Sequence, residues 1–405
     1  MLSRRAALLL AAGGLVQLSL PGAVAAPPRP APPDAPAPVR PALDALLAAR
    51  ARALRAGDAT ALAATCTPGA AAAQTELLAR IAGVPLAELG YRITSFTEPP
   101  PGADRLVAAA ELGYRLTGTD DFPALCQRRL EFDRTADGRW LLDTEQPTGS
   151  VALWDLGAVH ATDGRSCLVL GLADQATLGE LAALGDRAAP AVAEVWGNGR
   201  GGRLLLELPA TEEQFARLMD VPADTYKGIA AVTLAVSGAP LHTPADRILV
   251  NPDAYRELSQ IGRRVVVTHE ATHVATRADT KAWTPLWLSE GVADWTAYRD
   301  SGRTAHQIAP ELTADVRTGR IPTALPEDTA FAAGATGIAQ AYEMAWLACD
   351  LIVRRYGGQE RLVALYRAVG AAGAGQLERA FRTELGVGVA EFTKQWTGEV
   401  AKQLG

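Results

Sequence analysis

Apolar residues first recur at helical spacing. Leu43, Leu46, Leu47, Ala51 and Leu54 form a stripe that stops near Gly57-Asp58. From Tyr91 the period shortens to two. Tyr91-Arg92-Ile93 alternates, residues 106–116 are a β-compatible run, and Leu130-Glu131-Phe132 alternates again. Asp137-Gly138, between Phe132 and Trp140, is a hairpin turn signal, because glycine accepts the left-handed backbone such turns need. Helix first and curved antiparallel sheet afterwards predict a small α+β domain over residues 42–147.

After Thr148-Gly149-Ser150 the pattern restarts. Residues 148–165 read as a linker, and residues 166–405 as a second domain. It opens with strands at 167–172 and 193–196, a helical stretch near 178–185 lying between them. The glycine cluster 197–202 lacks the Lys-Ser/Thr pair of a phosphate loop and reads as a hairpin turn. Strands at 204–206, 229–234 and 247–250 follow. Asn251-Pro252 is an N-cap and first helical residue, and the chain beyond it is mainly helical. A sheet followed by helices makes the second domain α+β as well, with no internal repeat.

The N-terminal residues carry export features. Arg4 and Arg5, an apolar run over 6–20 and Ala23-Val24-Ala25 form a signal peptide over 1–25 with a small-residue cleavage site. The apolar run is short for an anchor, so no stable membrane insertion is expected after cleavage. No cysteine follows closely, which removes lipid attachment. Residues 26–41 are a linker, extended by the eight prolines among residues 27–41. Ser3-Arg4-Arg5 followed by Ala6-Ala7-Leu8-Leu9 resembles a twin-arginine export signal, a route that stands beside ordinary export; either implies a bacterial exported or cell-envelope protein.

Composition narrows the classes further. Of 405 residues, 48% are hydrophobic and 21% charged, as in ordinary globular proteins. The formal charge is −6, and −8 without residues 1–25, which carry two arginines and no acids. With no basic cluster, this excludes a nucleic-acid-binding face. Cys66, Cys126, Cys167 and Cys349 form no CxxC pair, so thiolate metal sites are excluded. An exported protein permits disulfides, and Cys66 with Cys126 is one of the pairings open to it, beside buried free thiols.

The chemistry is concentrated in two short segments. In Val265-Val266-Val267-Thr268-His269-Glu270-Ala271-Thr272-His273, helical spacing puts His269 and His273 on one face. Glu270 lies offset around the helix, placed to reach a water on the metal without being a ligand. Glu290 follows His273 after sixteen residues, in Leu286-Trp287-Leu288-Ser289-Glu290-Gly291-Val292-Ala293-Asp294-Trp295. Thr284 is the expected cap of that helix and Pro285 its first residue. A third ligand from this second helix would complete a zinc site with an open fourth position, one ion per chain. Asp294, one turn on, is placed to bond a ligand histidine's second nitrogen.

His-Glu-Ala-Thr-His followed by Trp-Leu-Ser-Glu-Gly-Val-Ala-Asp resembles the gluzincin metallopeptidases of the MA clan, which include thermolysin and the aminopeptidase N relatives. The resemblance implies a zinc-dependent peptidase acting on peptide or protein substrates. Its matching roles fall on His269, His273 and Glu290 as ligands, Glu270 as general base and Asp294 behind the ligands. Ala341-Tyr342-Glu343-Met344-Ala345 resembles the segment whose tyrosine steadies the oxyanion, which makes Tyr342 a candidate; the residue also fits a core stripe with Ala345, Trp346 and Cys349. Residues 228–233 occupy the place of the family's substrate-pairing edge strand, although they read more readily as an ordinary sheet strand. The helix-then-sheet order of the first domain resembles cystatin-like, nuclear-transport-factor-like domains. Two other classes stand beside the peptidase: a catalytically silent peptidase fold that keeps its zinc, and an adhesion or ligand-binding protein with a purely structural metal. His160, His242 and His306 have no ligand spacing.

Overall fold

The computed structural model describes residues 39–100, 102–197, 203–223, 225–235 and 242–405. The signal peptide, most of the proline-rich linker and residues 198–202 of the glycine cluster lie outside them. In the first domain, α1 (Val39–Ala56), α2 (Ala59–Ala63) and α3 (Ala71–Ile81) precede four antiparallel strands in sequential order. These are β1 (Leu86–Phe96), β2 (Arg105–Leu116), β3 (Ala124–Arg134) and β4 (Trp140–Pro147). Helix α1 starts inside the last residues assigned to the linker. It buries Leu43, Leu47, Arg50, Ala51 and Leu54, the expected stripe with one arginine set into it. The β3–β4 turn passes through Gly138 at φ 87°, as the Asp-Gly signal requires.

The second domain begins earlier than its sequence pattern suggests. Residues 148–165, expected as a linker, hold α4 (Leu153–Leu156) and the edge strand β5 (His160–Asp163). Too short for a readable period, that strand takes its place from pairing with β6 (Cys167–Gly171). Residues 193–196, expected as a strand, are the last turn of the 22-residue helix α5 (Gln175–Trp196). Pro190 and a short apolar run imitate a helix stop and a new strand, but the buried face Leu178, Leu181, Gly185, Ala188, Val192, Val195 is continuous. The glycine cluster therefore lies between a helix and β7 (Leu204–Leu208), not between two strands. Helix α6 (Glu212–Leu218), β8 (Ala231–Leu234) and β9 (Arg247–Val250) follow, giving a sheet of order β5-β6-β7-β9-β8. Its three central strands are parallel and both edges antiparallel.

Helices complete the chain: α7 (Pro252–Arg256), α8 (Gln260–Thr276), α9 (Leu286–Tyr298), α10 (Ala305–Ile308), α11 (Pro310–Arg317), α12 (Ile338–Tyr356), α13 (Gly358–Ala372), α14 (Leu377–Leu385) and α15 (Val389–Leu404). The fold is α+β, a sheet domain followed by a sheet-then-helix domain. Among the described residues, no helix is long and apolar enough to cross a membrane. All four cysteines are buried free thiols, so the Cys66–Cys126 pairing does not form.

Both faces of the second sheet are covered. Val169, Leu206, Ile248 and Val250 face α5, α8, α9 and α12. Their neighbours Leu168, Leu170, Leu205 and Leu249 join one apolar cluster with Leu112, Tyr114 and Leu116 of β2 and Cys126 of β3. Period-two alternation thus sends half of each strand into a core shared between the domains. A polar contact crosses the same boundary, where Arg247 of β9 reaches Asp120 at 3.2 Å; within its own sheet Arg247 reaches Glu207 of β7 at 3.4 Å.

Candidate metal centre

Helix α8 carries the first segment through the interior. Ser259 caps it by accepting from the Gly262 amide. Thr268, Thr272 and Thr276 donate their hydroxyls to carbonyls one turn back, so these side chains are buried without needing outside partners. Helix α9 starts one residue later than expected. Pro285 is its N-cap position and has no side-chain cap bond; Thr284 accepts from Lys281 instead, and Asp328 caps the helix by accepting from the Leu286 amide at 2.8 Å. Proline's φ is satisfied there with ψ at 138°, which keeps it outside the helix.

The two helices bring three donor atoms together. His269 Nε2 lies 3.0 Å from His273 Nε2 and 3.2 Å from a Glu290 oxygen, Oε2, which is 3.4 Å from His273 Nε2. Four-coordinate zinc with bonds near 2.0–2.1 Å spaces its ligand atoms about 3.3 Å apart, so this donor set fits that ion. Among the described residues, this is where histidine, cysteine and carboxylate ligand atoms converge in a group of three. His269 and Glu290 are buried, whereas the His273 side chain keeps 13% exposure, so its side of the site faces solvent.

Around the ligands every group has a distinct part. Asp294 accepts from His269 Nδ1 at 2.8 Å, which fixes the tautomer and leaves Nε2 for a metal. Burial alone would lower the His269 imidazole, but the Asp294 carboxylate outweighs it and raises its basicity well above the usual value. Burial would raise Glu290, yet the neighbouring His273 and His269 hold it down at about 2, so it is ionised. Glu270 is fully buried beside the ligands and outside their triangle.

Tyr342 also reaches the centre. Its ring centroid is 6.3 Å from that of His269. Burial first, and then the charge of Glu290, pushes the phenol well above its ordinary range, leaving a neutral hydrogen-bond donor. Gly291 makes this approach feasible: a Cβ there would lie 2.5 Å from the Ala345 carbonyl and 2.8 Å from Cys349 Sγ. Helices α9 and α12 therefore pack backbone to backbone one turn from Tyr342.

Two contributors escaped the sequence reading. Thr233 of β8 donates to Glu270 Oε2 at 2.7 Å. Its signal was available, since alternation places it on the same side as the core residue Ala231. Glu343 accepts from the amides of Glu311 and Leu312, anchoring the start of α11 on α12. In the stretch 301–334, helices α10 and α11 pack over α12 and α15. His160, His242 and His306 lie outside the cluster of ligands.

No protein-family model and no curated protein matches the sequence. Among solved structures, the chain is similar to an M1 zinc metallopeptidase mutant from Deinococcus radiodurans bound to a Tyr-Ser-Ala substrate, at 11% identity, over 77% of this chain and 95% of that one, with a TM-score of 0.32. The same mutant without that peptide aligns at 12% identity over the same shares, with a TM-score of 0.33. A candidate aromatic ring hydroxylase from Novosphingobium aromaticivorans aligns at 16% identity over 28% of this chain and 96% of its own, with a TM-score of 0.21. These scores are too low for transfer of function.

Proposed function

We propose that the protein is an exported zinc-dependent peptidase that hydrolyses peptide bonds at the centre formed by α8, α9 and α12. The observation that carries this reading is the convergence of His269, His273 and Glu290 beside a buried carboxylate, Glu270, that is not one of the converging donors. Three protein donors leave a position open, whereas a structural zinc normally takes four. Bound there, zinc would polarise a peptide carbonyl and acidify a water.

The chain's own groups account for the proton traffic. Glu270 removes a proton from the attacking water and delivers it to the amine nitrogen as the C–N bond breaks. Tyr342, a neutral donor beside Glu290, bonds the oxygen on which negative charge develops. Asp294 keeps His269 oriented throughout.

Profiling the purified protein on a peptide library, with and without chelator, tests this directly. Chelator-sensitive cleavage is expected, along with one zinc per chain by elemental analysis. Glu270→Gln should keep the zinc and lower hydrolysis by about a hundredfold or more. A parent protein that binds zinc and cleaves nothing would favour the silent binding-protein reading. One that binds no zinc would reject the site.

A further inference from the structure

The fold treats the two carboxylate oxygens of Glu270 differently. Oε2 accepts from the Thr233 hydroxyl at 2.7 Å, while Oε1 is buried and bonds no protein group. Thr233 belongs to the edge strand β8, where Ala231 packs toward the helices and Val232 toward the first domain's sheet. The same hydroxyl lies 3.2 Å from the Glu270 backbone carbonyl, so strand and helix meet at this one atom. Thr233 is 6% exposed and Glu270 not at all, so bulk water does not compete for the contact. A hydroxyl donating to a carboxylate is among the stronger hydrogen bonds, and threonine's branched Cβ restricts its rotation.

We propose that Thr233 is a positioning residue for Glu270: it anchors Oε2 and so reserves Oε1 for the attacking water. In the hydrolytic step, Oε1 takes the water proton as the C–O bond forms, then returns it to the nitrogen as the C–N bond breaks. Thr233 keeps its own proton throughout and holds the acceptor in line. The kinetic part of this proposal rests on the peptidase reading; the structural part stands without it.

The test uses the full chain loaded with zinc, as parent, Thr233→Val and Thr233→Ser. Valine keeps the branched shape and removes the donor, whereas serine keeps the donor. Thr233→Val should lower kcat by about tenfold to a hundredfold, with KM and zinc content unchanged. Thr233→Ser should recover most of that loss. Crystal structures should show the Glu270 carboxylate rotated in Thr233→Val and unmoved in Thr233→Ser. If the valine variant does not fold, Thr233→Ala removes the same donor and takes its place. Parental kcat without the donor, a loss confined to KM, or a serine variant no better than valine would each overturn the proposal. Should the parent hydrolyse no peptide, the peptidase reading fails, and the crystal structures alone decide: an unmoved Glu270 in Thr233→Val then overturns it.

Discussion

Where the first domain meets α4, Arg50 reaches Glu145 through Nε at 3.1 Å and Nη2 at 2.9 Å, and Arg128 reaches Glu145 at 3.3 Å and Asp155 at 2.9 Å. The Tyr91 hydroxyl donates to Glu145 at 3.0 Å. Two guanidiniums meet two carboxylates, so the charges match in number. At the metal centre the arrangement is the reverse. Among the described residues, Glu290 and Asp294 have only the imidazoles of His269 and His273 as ion-pair partners, and Glu270 adds a third buried carboxylate. Acceptors converge there in excess, an arrangement that a divalent cation completes. Burial of charge is therefore no mark of function on its own. What separates the two regions is whether the charges are matched in pairs or gathered toward a point.

The largest expected effect separates them by stability. Arg50→Met leaves Glu145 short of its two-pronged partner and should destabilise the fold by about 3–5 kcal/mol. Zinc content of the folded fraction should stay at one per chain. Denaturant melts with elemental analysis check both, and a loss of zinc would tie the two regions together.

Tyr342→Phe acts on the other region. Turnover should fall by the equivalent of roughly 3 kcal/mol with little change in substrate binding. Stability should move by only about 1 kcal/mol. Normal turnover in a folded, zinc-loaded variant would assign the residue to packing alone.

A smaller change is expected from Asp294→Asn, which still accepts from His269 but without charge. Zinc affinity should drop by roughly tenfold to a hundredfold in a chelator competition titration. Unchanged affinity would mean that the 2.8 Å contact does not tune the ligand.

A last effect, read in pH dependence, concerns Glu343, which burial, and then the Glu311 side chain, pushes up from 4.5 to about 10. Its folded pKa exceeds the unfolded one, so its contribution is full below 4.5 and is lost as pH rises toward 10. Thermal melts between about pH 5 and pH 9 should show a shallower decline for Glu343→Gln than for the parent. Parallel slopes would place the burden elsewhere.

Much of the centre was legible because its chemistry is local. Histidines four apart define one helical face, and Glu290 and Asp294 repeat that spacing on the next helix. Arg50 was legible in principle too, since it continues the stripe of Leu43, Leu47 and Leu54. An arginine on an apolar stripe signals a buried partner, but nothing local says which. Thr233 had the same status: alternation turns it inward, while its partner lies 37 residues away. The last turn of α5 and the strand β5 were illegible for a different reason. Each is short, and tertiary contact rather than periodicity decides its state.

The core shared between the sheets carries a consequence for how this chain can be divided. Leu168, Leu170, Leu205 and Leu249 share their cluster with side chains from β2 and β3 as well as with Trp154, Phe215, Leu218 and Met219 of their own domain. A fragment beginning after residue 147 would carry His269, His273 and Glu290 but lose the part of that cluster supplied by Leu112, Tyr114, Leu116 and Cys126. Apolar side chains of this size are worth about 1.5–3 kcal/mol each when fully withdrawn from water, so a fragment that uncovers this face is expected to self-associate. The boundary near residue 148 marks where the topology changes, and the unit that can be transplanted, expressed or inherited is both sheets together.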